Sequence, residues 1–266
     1  MLARASLLSL VLIATAPAFA QAPDTVLLED LTWTELRDAI GAGTTTILVP
    51  VGGTEQNGPH MALGKHNVRV RVLAERIARA LGHTLVAPVI AYVPEGRINP
   101  PTAHMRFPGT ISVPEETFER VLESAGRSFR QHGFRDVVFL GDHGSTQAGQ
   151  RTVAARLNRE WAGAPTRAHA IEEYYRASQA EFARALPARG FSEAEIGTHA
   201  GLADTALMLA IDARLVRADR LRPGTGEAGD GVDGDPRRAT AELGRAGADD
   251  VVAKTVEAVK QALARR

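Results

Sequence analysis

Short, almost wholly apolar runs alternate along this chain with segments of helical periodicity, and that alternation limits its fold more than any other feature. Thr44 to Val51 (TTTILVPV), Leu85 to Val93 (LVAPVIAYV) and Asp136 to Leu140 (DVVFL) read as strands without polar alternation, and Thr166 to Tyr175 as a weaker one. A strand of that kind has both faces covered. Between and after them, Asn67 to Leu81, Pro114 to Gln131, Gln147 to Trp161 and Leu202 to Ile211 carry helical patterns, and Pro236 to Arg266 reads as a long amphipathic helix. The expected fold is α/β: a three-layer α/β/α sandwich with a mostly parallel central sheet. A chain of 266 residues suits one such domain, expected over residues 21–266.

Composition narrows the function. The formal net charge is +0, so the basic excess expected of a nucleic-acid or anionic-membrane partner is missing. There is no cysteine, which excludes thiolate catalysis and cysteine-bound zinc. Met1 to Arg4 supplies a positive charge, Leu7 to Ala14 an apolar stretch, and Ala18-Phe19-Ala20 a cleavage pattern. Residues 1–20 are expected to be a signal peptide, which makes the mature protein periplasmic or secreted.

Polar clusters follow the strands, where open α/β sheets carry their functional residues. Residues 52–67 (GGTEQNGPHMALGKHN) follow the first strand, and residues 141–146 (GDHGST) follow DVVFL. A third cluster, residues 198–205 (THAGLADT), precedes a buried helix. Each joins histidine to a carboxylate beside glycine, a combination that points to a hydrolytic metal site. His143 stands out because a histidine buried at a sheet end must be hydrogen-bonded or bound. His83, His132 and His169 sit in ordinary helix-end or strand contexts. The stretch PGTGEAGDGVDGDP over 223–236 lacks EF-hand spacing and reads as a surface loop, flexible or facing substrate.

The same loops resemble, in order, those of the creatininase (creatinine amidohydrolase) family. GGTEQNGPHMALGKHN resembles its loop G-S-x-E-Q-H-G-P-H-L-P-L-G-T-D, and AHMRFPGTIS from Ala103 resembles E-H-x-x-F-P-G-T-x-S. GDHGST stands where the family has N-G-H-G-G-N, HAGLADTALML resembles H-A-G-x-x-E-T-S-L-M-L, and VDGDP with the following ATA resembles its closing segment. The resemblance implies hydrolysis of a carbon–nitrogen bond at a two-metal site, often in hexamers. It carries Glu55 and His143 over as metal ligands. His66 stands at the position of the family's bridging aspartate, Asp204 at that of a glutamate, and Asn57 at that of a histidine.

These departures make the expected ligand set Glu55, His66, His143 and Asp204, two imidazoles and two carboxylates around one Zn²⁺ or Mn²⁺, with Fe²⁺ also compatible. Neutral imidazole normally binds one cation and a carboxamide binds weakly, so a second ion is left open. The resemblance makes His199 the residue that moves a proton to the leaving nitrogen. Asn57, His60, His104 and Arg106 are expected beside the ligands or in the pocket, Arg106 suiting a substrate carboxylate. Tyr174 and Tyr175 are pocket or core residues. The expected partner is a small molecule, with a homo-oligomer implied. Two alternatives stay open: a hydrolase of another bond, such as a lactone, and a non-catalytic binding protein.

Overall fold

A computed structural model describes residues 23–226 and 228–265. The expected leader over 1–20 lies outside the described residues. No helix among the described residues is long and apolar enough to cross a membrane.

Four strands, β1 (Thr46–Val51), β2 (Thr84–Val86), β3 (Asp136–Gly141) and β4 (Arg167–Ala170), form one sheet in the order β2-β1-β3-β4. Every pairing is parallel, with Thr46 opposite Thr84 on one side and Asp136 on the other. All six residues of β1 and of β3 are buried, as their unbroken apolar sequence requires. Successive side chains point to opposite faces. Leu48, Val138 and Leu140 join one apolar cluster, while Ile47, Val49, Val137 and Phe139 join the other.

Helices cover both faces, which completes the expected three layers. Helix α1 (Trp33–Gly41) opens the described helices, held by a capping box between Thr32 and Glu35. On one face α2 (Lys65–Leu81) packs Val70, Leu73 and Ile77 into the first cluster. On the other, α3 (Glu115–Gln131) and α4 (Gln147–Glu160) insert Phe118, Leu122, Val153 and Leu157. Two later helices, α5 (Leu202–Asp212) and α6 (Ala241–Ala264), lie beside α2. Gly244 lets α5 and α6 meet closely, since a Cβ there would strike the backbone of Ala206.

Three expected elements change. The second strand ends at Val86, because Pro88 has no N–H for the ladder. The chain beyond it still runs beside β1, with the Ile90 N–H donating to the Pro50 carbonyl at 3.0 Å. The strand expected over 166–175 ends at Ala170 and turns helical at Glu173, continuing through a π-helical turn over Arg176–Glu181. The last helix begins at Ala241, capped by Thr240, and not at Pro236.

Candidate active site

The carboxyl ends of β1 and β3 lie side by side, so the loops leaving them converge. The β1 loop supplies Glu55, the first turns of α2 supply Lys65, His66 and Arg69, and the β3 loop supplies Asp142 and His143. The segment past β2 brings Glu95 and His104, and the turn before α5 brings His199 and Asp204.

Glu55, fully buried, is the hub. Its Oε1 lies 2.8 Å from His66 Nε2, and its Oε2 lies 3.0 Å from His143 Nε2 and 3.1 Å from His104 Nε2. Neither contact to Oε2 is aligned as a full hydrogen bond, although both rings stand within ion-pair distance of it. Glu95 is 2% exposed, and neither of its oxygens has a hydrogen-bond donor, although His143 Nε2 stands 3.3 Å away. Ligand-capable atoms of Glu55, Glu95, His104 and His143 all fall within 4.8 Å of one another. Gly53 makes room for this approach, because a Cβ there would sit 2.6 Å from Glu95 Oε1.

Burial works to raise the Glu55 carboxyl, and the imidazoles of His66 and His143 more than offset it, holding Glu55 well below the usual carboxylate range. Glu95 moves the other way. Burial, reinforced by the Glu55 charge, pushes its carboxyl up to about 10. Two carboxylates that close, in so dry a place, do not both ionise without a cation between them.

Hydrogen-bond accounting assigns the imidazole tautomers. His66 Nδ1 lies 2.6 Å from Asp142 Oδ2, an acceptor, and so carries a proton. Its Nε2 then faces Glu55 Oε1, an arrangement that calls for a second proton or a metal ion between them. The Ser145 hydroxyl donates to the Pro94 carbonyl at 2.6 Å and lies 2.7 Å from His143 Nδ1, which also accepts the Ser145 N–H at 3.3 Å, so the ring is tied to its own loop through Nδ1 and turns Nε2 to the centre. His104 differs. The Gly58 N–H donates to Gln56 Oε1, fixing that amide, whose Nε2 donates to His104 Nδ1 at 3.1 Å. The His104 proton is therefore on Nε2, which makes this residue a donor beside the centre.

The residues fit a divalent cation. Two imidazole nitrogens, of His66 and His143, and two carboxylates, with Glu55 Oε2 and both Glu95 oxygens lacking an aligned hydrogen-bond partner, form an N/O set of the kind that binds zinc or manganese. Of the ligands expected from sequence, Glu55, His66 and His143 meet here. Asp204 stands apart, because α2 directs two cations at it: Lys65 Nζ lies 3.0 Å from Oδ2, and Arg69 donates to Oδ1 at 2.8 Å. These charges hold Asp204 well below its ordinary range against burial. Glu95, absent from the expected set, lies in the converging group together with His104.

The remaining expected residues divide. The Asn57 amide donates to the carbonyls of Glu55 and Ala62, pinning the loop from within. His60 is buried against Thr205 at 3.0 Å. His199 Nε2 donates to the Gln56 carbonyl at 3.0 Å, which leaves Nδ1 3.9 Å from Glu55 Oε1. Burial, and next to it the Lys65 charge, lowers the His199 imidazole to about 4, so it is neutral at neutral pH. The turn behind it holds Ala200 at φ 54°, a strained position for a residue with a Cβ, and ties its N–H to Asp204. Residues 231 and 233 of the glycine-rich loop close this side, with Gly231 accepting from Gln56 and Asp233 pairing with His199. Arg106 is exposed, on the same 3₁₀ turn as His104. Tyr174 is fully buried and donates to Asp142 at 2.7 Å, while Tyr175 lines the adjoining cavities. One cavity, of about 240 Å³, is bounded by Lys65, His66, His143, Tyr175 and His199. A second, of about 330 Å³, continues from it past Ile196, Ala183 and Ala203.

The buried carboxylate–imidazole centre lies at the carboxyl end of a parallel sheet, where α/β proteins carry their functional residues. The family model for creatininase, creatinine amidohydrolase, matches residues 29–259, and the chain belongs to this family. It is 27% identical over 199 residues to a creatinine amidohydrolase of Pseudomonas putida, covering 74% of this chain and 75% of the relative. A mycofactocin precursor peptide peptidase of Mycolicibacterium smegmatis is 32% identical over 135 residues, 45% of this chain and 52% of the relative. Among solved structures, a manganese creatininase superposes with a TM-score of 0.73 at 23% identity, covering 90% of this chain and 99% of that one. A mutant creatininase of Zn-Zn type does so with 0.73 at 24%, covering 91% and 99%. At these identities the superpositions speak to the fold.

Sequence reasoning missed Glu95. It follows an apolar run, as the chosen clusters do, but no histidine beside it marked it out.

Proposed function

We propose that the chain is a divalent-metal-dependent amidohydrolase that cleaves a carbon–nitrogen bond in a small, including cyclic, amide. The observation that carries this reading is the buried convergence of Glu55, Glu95, His104 and His143, with His66 Nε2 2.8 Å from the other oxygen of Glu55, at a point where Glu55 Oε2 and both Glu95 oxygens have no aligned hydrogen-bond partner. Glu55, Glu95, His66 and His143 would hold one Zn²⁺ or Mn²⁺ per chain, and solved creatininases in manganese and Zn-Zn forms support the choice of element, not the count. When bound, the cation supplies Lewis acidity, polarising a carbonyl and lowering the pKa of water.

The chain's own residues do the rest. His199, neutral and anchored through Nε2, offers Nδ1 to take a proton from water and return it to the leaving nitrogen. Its ring is fixed because Gln56 and Asp233 hold its side chain and backbone. The Tyr175 hydroxyl, set close over Gly144 in the cavity wall, is placed to donate to the substrate carbonyl oxygen. The second cavity, floored by Ile196 and Ala203, accepts an uncharged substituent of the amide.

Export to the periplasm or beyond and assembly as a homo-oligomer, the hexamer implied by resemblance, belong to the same proposal. Elemental analysis of the purified protein, followed by a screen of cyclic and open-chain amides, lactones and short peptides, tests it. Stoichiometric zinc or manganese, lost in His143→Ala, with turnover of an amide supports the reading. A metal-free protein that still binds a small ligand, or turnover confined to lactones, overturns it.

A further inference from the structure

Lys65 is 1% exposed and Arg69 fully buried, in the first two turns of α2, where the helix dipole disfavours positive charge. Four residues apart, they share one helix face and repel each other. Such an arrangement persists only if something answers it. Asp204 lies across both cations, at 3.0 Å from Lys65 Nζ and 2.8 Å from Arg69. Arg69 also grips Asp142 at 2.9 Å. Lys65 Nζ reaches on to Glu55 Oε1 at 3.9 Å, so its ammonium lies between the hub carboxylate and Asp204.

Four buried carboxylates surround the centre: Glu55, Glu95, Asp142 and Asp204. With all four ionised, as they would be around a bound cation, two buried cations, Lys65 and Arg69, answer two of them, and two negative charges are left. That residue of charge equals one divalent ion. A second divalent ion would need the Glu55 and Asp204 oxygens that face Lys65, and would sit against a fixed ammonium in a dry environment where like charges repel strongly.

We infer that Lys65 is a built-in cation that holds the Glu55–Asp204 gap, limits the centre to one divalent ion and conceals a second cation site. The inference rests on the metal-dependent reading above. Removing the side chain empties a space continuous with the 240 Å³ cavity that Lys65 helps to line, and exposes two carboxylates to a cation.

The test is zinc stoichiometry, read by elemental analysis after equilibrium dialysis and by calorimetric titration with Zn²⁺. The wild-type protein and Lys65→Arg are expected to take one zinc per chain in a single step. Lys65→Ala is expected to take two, in two resolved steps, with circular dichroism reporting that it is folded. Wild-type protein that takes two zincs overturns the inference whether or not the variant folds. A folded Lys65→Ala protein that stays at one zinc overturns it too, while leaving the metal-dependent reading intact. Wild-type protein that takes none overturns both.

Discussion

Asp142 accepts the Nδ1 proton of His66 at 2.6 Å, and so decides which nitrogen of that ring faces Glu55. A carboxylate behind a ligating imidazole sets its tautomer and raises its basicity. Asp142→Asn is expected to weaken zinc affinity about 10- to 100-fold, the usual effect of such a partner. Competition against a chelator of known affinity measures it, and unchanged affinity would remove His66 from the ligand set.

Arg69 joins two buried carboxylates on different elements, donating to Asp142 after β3 and to Asp204 in α5. Deleting one partner of a buried ion pair leaves charge uncompensated and costs about 3–5 kcal/mol. Arg69→Met is expected to lower stability by that amount, seen as a lower urea midpoint with an unchanged slope. Arg69→Lys should recover little of it, because an ammonium cannot reproduce the planar fork between two carboxylates.

The metal-free protein should become less stable as the pH rises above about 6.5, the ordinary value of His199. Glu95 keeps its proton in the folded chain up to about 10 but loses it near 4.5 when unfolded. Between those values the folded state binds more protons, so stability falls with rising pH. His199, lowered to about 4 from 6.5, acts with the opposite sign, and its contribution is complete above 6.5. The decline beyond that point is expected to approach about 1.4 kcal/mol per pH unit for one proton. Chemical denaturation between pH 6.5 and 9 after chelator treatment measures it, and Glu95→Gln should flatten the curve.

His199→Ala should separate binding from proton transfer. It is expected to lower kcat about 10²- to 10⁴-fold, the usual worth of a positioned general acid–base group, with zinc content unchanged. Kinetics on an amide found by screening, with elemental analysis of the same sample, read both quantities. Loss of metal in this variant would make His199 a ligand.

Much of this arrangement was legible in the sequence. Uninterrupted apolar runs specified a buried parallel sheet, and the rule that function gathers at carboxyl strand ends located Glu55, His66 and His143. The fate of Asp204 was not legible. Its sequence neighbours suit a metal ligand, and only the tertiary packing of α2 against α5 brings Lys65 and Arg69 to it. Glu95 was hidden for a related reason: its significance lies in being buried 3.3 Å from His143, which no local pattern records. His104 was placed beside the ligands from resemblance, and the orientation of Gln56 accounts for that position.

Glu95 and His104 share one excursion between Val93 and Ser112, whose ends are drawn together by a backbone bridge and by the Ser112 hydroxyl. Glu55, His66 and His143, by contrast, are anchored to the sheet and to the helix that covers it. The centre is thus divided into a fixed half and an exchangeable half. One insertion or deletion in that excursion would replace a carboxylate and a proton donor together while leaving every strand untouched. Chemistry on this scaffold can therefore diversify by a single loop graft, with no need for the core to be rebuilt.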